Sequence, residues 1–189
     1  AIRDARGLMD INRAPGALLD TVLAGAGMEE EPRKALVDAI LDWRDKDSLK
    51  RLNGAEDDDY LRAGLKWAAR DGAFSSVEEF RYVLGMTNPL FDGLAPHLTV
   101  HSGQANVELD FASPWLVGVL SGTQDTAPAG NTTARRGGST FHITVWATSN
   151  SGSSASLDLV VRIATTATKL PYTILSWRAP ARSISRTSG

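Results

Sequence analysis

The 189-residue sequence has no cysteine. A disulfide framework, a thiolate metal site and a cysteine nucleophile are therefore excluded, and the redox compartment is left open. Long apolar runs are also missing. The longest candidate, Phe111 to Leu120, is interrupted by Ser113 and Pro114 and falls well short of the roughly 18 to 20 residues that span a bilayer. Charge of one sign is scarce: 20 Lys+Arg stand against 22 Asp+Glu, a formal net of −2, which excludes binding to nucleic acid through overall charge. Ala1 to Asp10 has no apolar stretch of the signal-peptide kind, and the start at a residue other than Met suggests a trimmed or processed chain.

Chemical motifs are equally sparse. Neither G-x-S-x-G, G-x-x-x-x-G-K-[ST] nor G-x-G-x-x-G occurs, so a nucleophile elbow and the common phosphate loops are absent. Only three histidines are present. His97 and His101 are four apart, but the run Leu98-Thr99-Val100 between them reads as a strand, in which four residues span roughly 13 Å and cannot share one ion. Arg135-Arg136-Gly137-Gly138 is a small basic loop, and Asn131-Thr132-Thr133 is a glycosylation sequon of low specificity.

What is present divides the chain in two. Residues 1–99 carry 13 basic and 18 acidic side chains, and residues 100–189 carry 7 and 4. The first half has helix punctuation. Pro15 opens an apolar run that closes at Gly25 and Gly27, and Pro32 starts a second helix with Leu36, Val37, Ile40, Leu41 and Trp43 at helical spacing. Tyr60 to Gly64 adds a turn. Ser76 and Glu79 have capping-box spacing ahead of Phe80, Val83 and Leu84, and Leu90 to Ala95 gives a short helix limited by Pro96. Ser113-Pro114 caps one more helix, before Trp115 to Leu120.

The second half alternates with period two. Phe141, Ile143, Val145 and Ala147 form one strand and Leu157, Leu159, Val161 and Ile163 another, joined as a hairpin through Ser149 to Ser154. Tyr172 to Arg178, rich in aromatic and β-branched residues, is a third strand. Ser121 to Ser139 reads as a flexible loop. The fold class is α+β, with helices segregated from an antiparallel sheet.

The strongest chemical signal is acidic. Asp42, Asp45 and Asp47 end the second helix, and Glu56, Asp57, Asp58 and Asp59 follow Gly54. Acids at a helix C-terminus oppose the macrodipole and clustered carboxylates repel, so a hard cation relieves both costs. Calcium, with six to eight oxygens in flexible geometry, suits the cluster, and Asp42, Asp45, Asp47, Glu56, Asp57 and Asp59 are its candidate ligands. The alternative is neutralisation by the interleaved Arg44, Lys46, Lys50 and Arg51 as solvated ion pairs. A glycosidase acid and base is a further use of paired carboxylates, but it needs a cleft with two environments. The helix ends at Gly25-Ala26-Gly27 and Gly85-Met86 also have a faint helix-hairpin-helix look, which makes a nucleic-acid-binding module the alternative function. Trp67, Phe74 and Trp115 are candidates either for partner contacts or for the core.

In order along the chain, Ile2-Arg3-Asp4 with Gly7 to Asn12 (GLMDIN), Ala39 to Asp47 (AILDWRDKD), Gly54 to Tyr60 (GAEDDDY), Phe74 to Met86 (FSSVEEFRYVLGM), Leu94 to Val100, Leu157 to Arg162 and Pro171 to Arg178 resemble the type II secretion minor pseudopilin family known as general secretion pathway protein K. The resemblance implies a pilin-like antiparallel sheet domain with an inserted all-helical domain of SAM or helix-hairpin-helix type. Residues 1–12 would be a strand segment of the pilin-like domain, 13–98 the helical insert and 99–189 the rest of the pilin-like domain. It implies a chain that lacks the family's N-terminal transmembrane helix, through which alone the membrane would be touched. The implied role is non-enzymatic: capping the tip of the periplasmic pseudopilus in a heterotrimer with minor pseudopilins I and J, above H and the major pseudopilin, with no nucleic acid involved. The implied location is the periplasm, as the soluble domain of a bacterial inner-membrane-anchored protein. Calcium binding is also known in the family.

Overall fold

The computed structural model describes residues 1–122, 140–150, 153–164 and 170–179. They fall into two compact units: the described residues from 7 to 122 make one, and residues 1–6 with those from 140 onward make the other. The expected loop Ser121 to Ser139, with Asn131 and the Arg135–Gly138 run, lies outside the described residues from 123 on.

The first unit is mainly helical. Strand β2 (Met9–Asp10) leads into helix α1 (Gly16–Gly25), which follows Pro15 and buries Leu19, Val22 and Leu23. Gly27, at φ 86°, reverses the chain in the left-handed region that glycine enters freely. Met28 N then donates to Leu23 O at 3.2 Å, the long return bond of a Schellman turn.

Helix α2 (Glu30–Arg44) buries Leu36, Val37, Ala39, Ile40, Asp42 and Trp43. It starts two residues earlier than expected. Pro32 sits inside its first turn, where a missing N–H breaks no intrahelical bond. Around Trp43 gather Tyr60 (ring centroids 5.7 Å) and Phe74 (5.9 Å), and Phe74 meets Phe80 edge-on at 5.7 Å. Tyr60 comes from helix α3 (Asp57–Arg62) and Phe80 from a 3-10 turn, Val77–Tyr82.

The capping box expected of Ser76 and Glu79 is not made. Ser76 makes no side-chain cap, and the Glu79 carboxylate accepts instead from Ser75 N (2.6 Å), Ser75 Oγ (3.2 Å) and Arg70. A strong cationic partner for the glutamate, and a 3-10 rather than α start, displace the box by one residue. Helix α4 (Asn88–Leu94) is capped by Thr87, strand β3 (Leu98–Thr99) follows, and Ser113 Oγ caps helix α5 (Pro114–Ser121) by accepting from Leu116 N at 3.3 Å.

This unit is wider than the helices alone. β2 and β3 pair in parallel, Met9 with Leu98 and Asp10 with Thr99. The buried Asp10 carboxylate accepts from Asn12 N (2.9 Å), Gly103 N (2.7 Å) and Ser102 Oγ (3.2 Å). Asn12 acts as a short strand on its own: Phe74 N donates to Oδ1 (2.7 Å) and Nδ2 donates to Phe74 O (3.0 Å). Arg44 donates from both terminal nitrogens, to Ile11 O and Ala14 O, each at 2.7 Å. Residues 7–12 and 99–122 thus share the helices' core, through contacts that charge composition does not report.

The second unit is a four-stranded sheet in the order β1-β4-β5-β6, made of β1 (Ile2–Asp4), β4 (Thr140–Thr148), β5 (Ser154–Ile163) and β6 (Tyr172–Arg178). All its pairings are antiparallel, with Ile2 opposite Ile143, Ile143 opposite Leu159 and Leu159 opposite Trp177. Because side chains alternate across a strand, this register gathers these residues with Phe141, Val161 and Tyr172 on one apolar face. A bulge lies at Val160/Val161. Among the described residues no helix is long and apolar enough to cross a membrane.

Candidate functional site

The acidic cluster forms where the end of α2, the start of α3 and the turn at Asp71-Gly72 come together. Asp42 is fully buried and already partnered. Arg51 Nη1 donates to its Oδ1 at 2.5 Å, and Arg51 N (3.2 Å) and Ala55 N (3.0 Å) donate to its Oδ2. It therefore organises the loop from within. Arg51 Nη1 also reaches Asp45 Oδ2 at 2.5 Å, and these two carboxylates hold the guanidinium more firmly protonated than usual. The other oxygen, Asp45 Oδ1, is buried with no partner.

Glu56 precedes α3, and its Oε1 is likewise buried and unpartnered. Carboxylate oxygens of Glu56, Asp57 and Asp71 all lie within 4.8 Å of one another. Burial, and then the negative charges of Asp42, Asp71, Asp45 and Asp57, push the Glu56 carboxyl up to about 7. Asp71 is brought in by its backbone. It adopts φ 53°, a left-handed conformation that Asp tolerates better than most residues, and Gly72 N donates to Trp43 O at 3.3 Å, tying the turn to the end of α2.

The other expected ligands are placed differently. Asp59 accepts from Glu56 N (3.1 Å), Lys50 Nζ (3.2 Å) and Arg62 (3.0 Å), and these bonds, that from Glu56 first, hold its carboxyl below the usual range. Asp47 is exposed, and its Oδ1 accepts from Leu49 N at 3.0 Å within its own turn. The structure thus brings Glu56 and Asp57 together with Asp71, which sequence spacing did not single out. Interleaved cations neutralise Asp42, Asp45 and Asp59, as the ion-pair alternative supposes, but only in part.

The group fits a hard divalent cation. Three carboxylates converge, the buried Glu56 Oε1 among them has no donor, and every available ligand atom is oxygen. Among the described residues the histidines join no such group. His97 Nδ1 bonds Ser113 Oγ at 2.9 Å and its ring stacks on Trp115 at 4.6 Å. Of the three candidate contact aromatics, Phe74 is buried and Trp115 packs partly buried against the core. Trp67 remains 40% exposed, edge-on to Tyr82 at 5.2 Å. The hairpin between α1 and α2 is followed by Glu29, Glu30 and Glu31, all exposed, a poor setting for a phosphate.

The family model of protein K of the type II secretion system matches residues 5–103, which contain this whole site. The chain belongs to that family. The protein K of Dickeya chrysanthemi is 37% identical over 73 residues, covering 38% of this chain and 20% of that protein. The Klebsiella pneumoniae protein K is 30% identical over 84 residues, covering 44% of this chain and 26% of that protein. The matches span about a quarter or less of these curated relatives. Among solved structures, a chain of the GspK–GspI–GspJ complex from the enterotoxigenic Escherichia coli type 2 secretion system is similar at a TM-score of 0.72. That match covers 96% of this chain and 79% of that chain at 14% identity, and it carries the fold across the sheet unit as well as the helices.

Proposed function

We propose that this chain is the periplasmic part of a minor pseudopilin that caps the pseudopilus tip with minor pseudopilins I and J, above H and the major pseudopilin. The observation that carries the reading is the joint match: the family model falls on the helical unit, and the structural likeness runs over nearly the whole chain to a member of a complex whose name includes I and J. The role is one of assembly rather than catalysis. The helical unit, inserted between strands of the sheet, supplies bulk that would stop further subunits from being added above it, and an N-terminal helix beyond this chain would anchor it in the inner membrane.

The same proposal includes a bound calcium ion. Asp45, Glu56, Asp57 and Asp71 would hold it, with Asp42 and Asp59 shaping the loop around them. The ion would supply charge compensation and cross-link the end of α2 to the start of α3 and the Asp71 turn.

Light scattering on a gel-filtration column tests the assembly. Mixed with the soluble domains of I and J from the same system, the chain is expected in a one-to-one-to-one complex. Separate elution of all three at every salt and calcium concentration would overturn the reading. The nucleic-acid alternative predicts steeply salt-dependent DNA binding, and the three glutamates after the α1–α2 hairpin oppose it.

A further inference from the structure

The loop between α2 and α3 holds the single Asn-Gly pair in the sequence, Asn53-Gly54. This dipeptide is chemically the most open to deamidation, because glycine has no side chain to shield its amide nitrogen. In that reaction Gly54 N attacks Asn53 Cγ, the bond from Cγ to the side-chain nitrogen breaks, and ammonia leaves with the proton from Gly54 N. Water then opens the resulting cyclic imide to an aspartyl or isoaspartyl residue.

We propose that Asn53 is a site of non-enzymatic deamidation whose rate the fold holds down. Asn53 is exposed, so water reaches it. Three hydrogen bonds work against the attack. Asn53 Nδ2 (3.3 Å) and Asn53 N (3.1 Å) both donate to Asp38 Oδ2, fixing the side-chain amide against α2. Gly54 N donates to Arg51 O at 3.1 Å, so the attacking nitrogen is engaged elsewhere. The Asp38 carboxylate also disfavours the negative charge that builds on the Asn53 amide during attack. Reaction therefore waits for local opening of the loop.

The product would not fit the same loop. A new carboxylate at residue 53 would face Asp38, whose oxygen now accepts two hydrogen bonds there. An isoaspartyl link would lengthen the main chain immediately before Gly54, whose own backbone already lies so close to the Asp42 carboxylate that a Cβ on it would overlap Asp42 Oδ2. Ala55 N, which donates to that same oxygen, and Glu56 beyond it would be displaced. Deamidation is thus an irreversible modification that loosens the acidic site.

The test follows the fragment around residue 53 by peptide mass mapping during incubation of the whole chain in buffered solution. The protein is expected to deamidate about tenfold more slowly than a synthetic peptide of residues 48–58, as a locally closed loop requires. Equal rates would overturn the proposal, and that comparison depends on no variant folding. Asp38→Ala is expected to raise the protein's rate several-fold, and an unchanged rate in folded Asp38→Ala would also overturn it. Asn53→Asp, as a mimic of the product, is expected to melt below the wild type while Asn53→Gln melts near it. Equal melting of Asn53→Asp and wild type would refute the loosening of the site.

Discussion

Asp42 occupies the space that a side chain on Gly54 would need: a Cβ there would overlap Asp42 Oδ2 and come within 2.8 Å of its Cγ. The glycine is required here by close approach, and the contact fixes how the loop from Asp45 to Glu56 returns to α2. Gly54→Ala is therefore expected to destabilise the helical unit by about 3 kcal/mol, the scale of disturbing a buried, hydrogen-bonded charge. Urea unfolding followed by circular dichroism measures it, and a loss below a few tenths of that would show that Asp42 is free to move.

Calcium should stabilise the chain, and selectively. At a concentration a hundredfold above the dissociation constant of the proposed site, the ion would add about 2.7 kcal/mol to the folded state. Asp71→Asn and Glu56→Gln are expected to abolish the upward shift in melting temperature, whereas Asp47→Asn leaves it intact, because Asp47 is bonded within its own turn. A shift that survives Asp71→Asn but not Asp47→Asn would place the ion elsewhere in the loop.

The Glu56 carboxyl supplies a pH signature for the ion-free protein. Its ordinary value of 4.5 is raised to about 7 in the folded chain, so between those values the native state binds the proton and the unfolded state has lost it. This contribution to stability is present at low pH and disappears as pH rises through 7. In chelator, the melting temperature should fall from about pH 5 to about pH 8 and level off above, once other titrating groups are subtracted by comparison with Glu56→Gln. Saturating calcium should flatten the difference, since the cation favours the ionised carboxylate.

Helices α1 and α5 meet at a second close approach. A Cβ on Gly25 would stand 2.5 Å from Val119 Cγ2, against a branched side chain with little freedom to turn away. Gly25→Ala is expected to cost about 1–3 kcal/mol through overpacking. Val119→Ala should recover most of that loss in the double variant, a coupling that a double-mutant cycle reads directly.

Much of the architecture could be read from residue patterns, and for physical reasons. Helices α1 and α2 announce themselves through Pro and Gly at their ends and apolar residues on one face, and the Ser113 cap of α5 is a local bond between neighbours in sequence. Strands β4, β5 and β6 alternate because one face of the sheet is apolar. Asp71 was not legible, because it reaches Glu56 only through a left-handed turn anchored on Trp43 O, and no spacing rule encodes that. The sharing of roles among the carboxylates was hidden for a similar reason. Asp42, Asp45 and Asp59 look alike in a list of acids and differ only in which donors the folded loop turns toward them. The two-residue pairing of β2 with β3 is too short to leave a pattern at all.

The sheet draws its first strand from the opening residues and the other three from the far end of the chain, with Ile2 paired to Ile143. During synthesis β1 emerges before the whole helical unit is made, and β4, its neighbour among the described strands, emerges only afterwards. The helical unit holds its core within one continuous stretch and can fold in the interval. Topology thus favours an order in which the helices and the β4–β5 hairpin, built from local contacts, form ahead of the long-range pairing of β1.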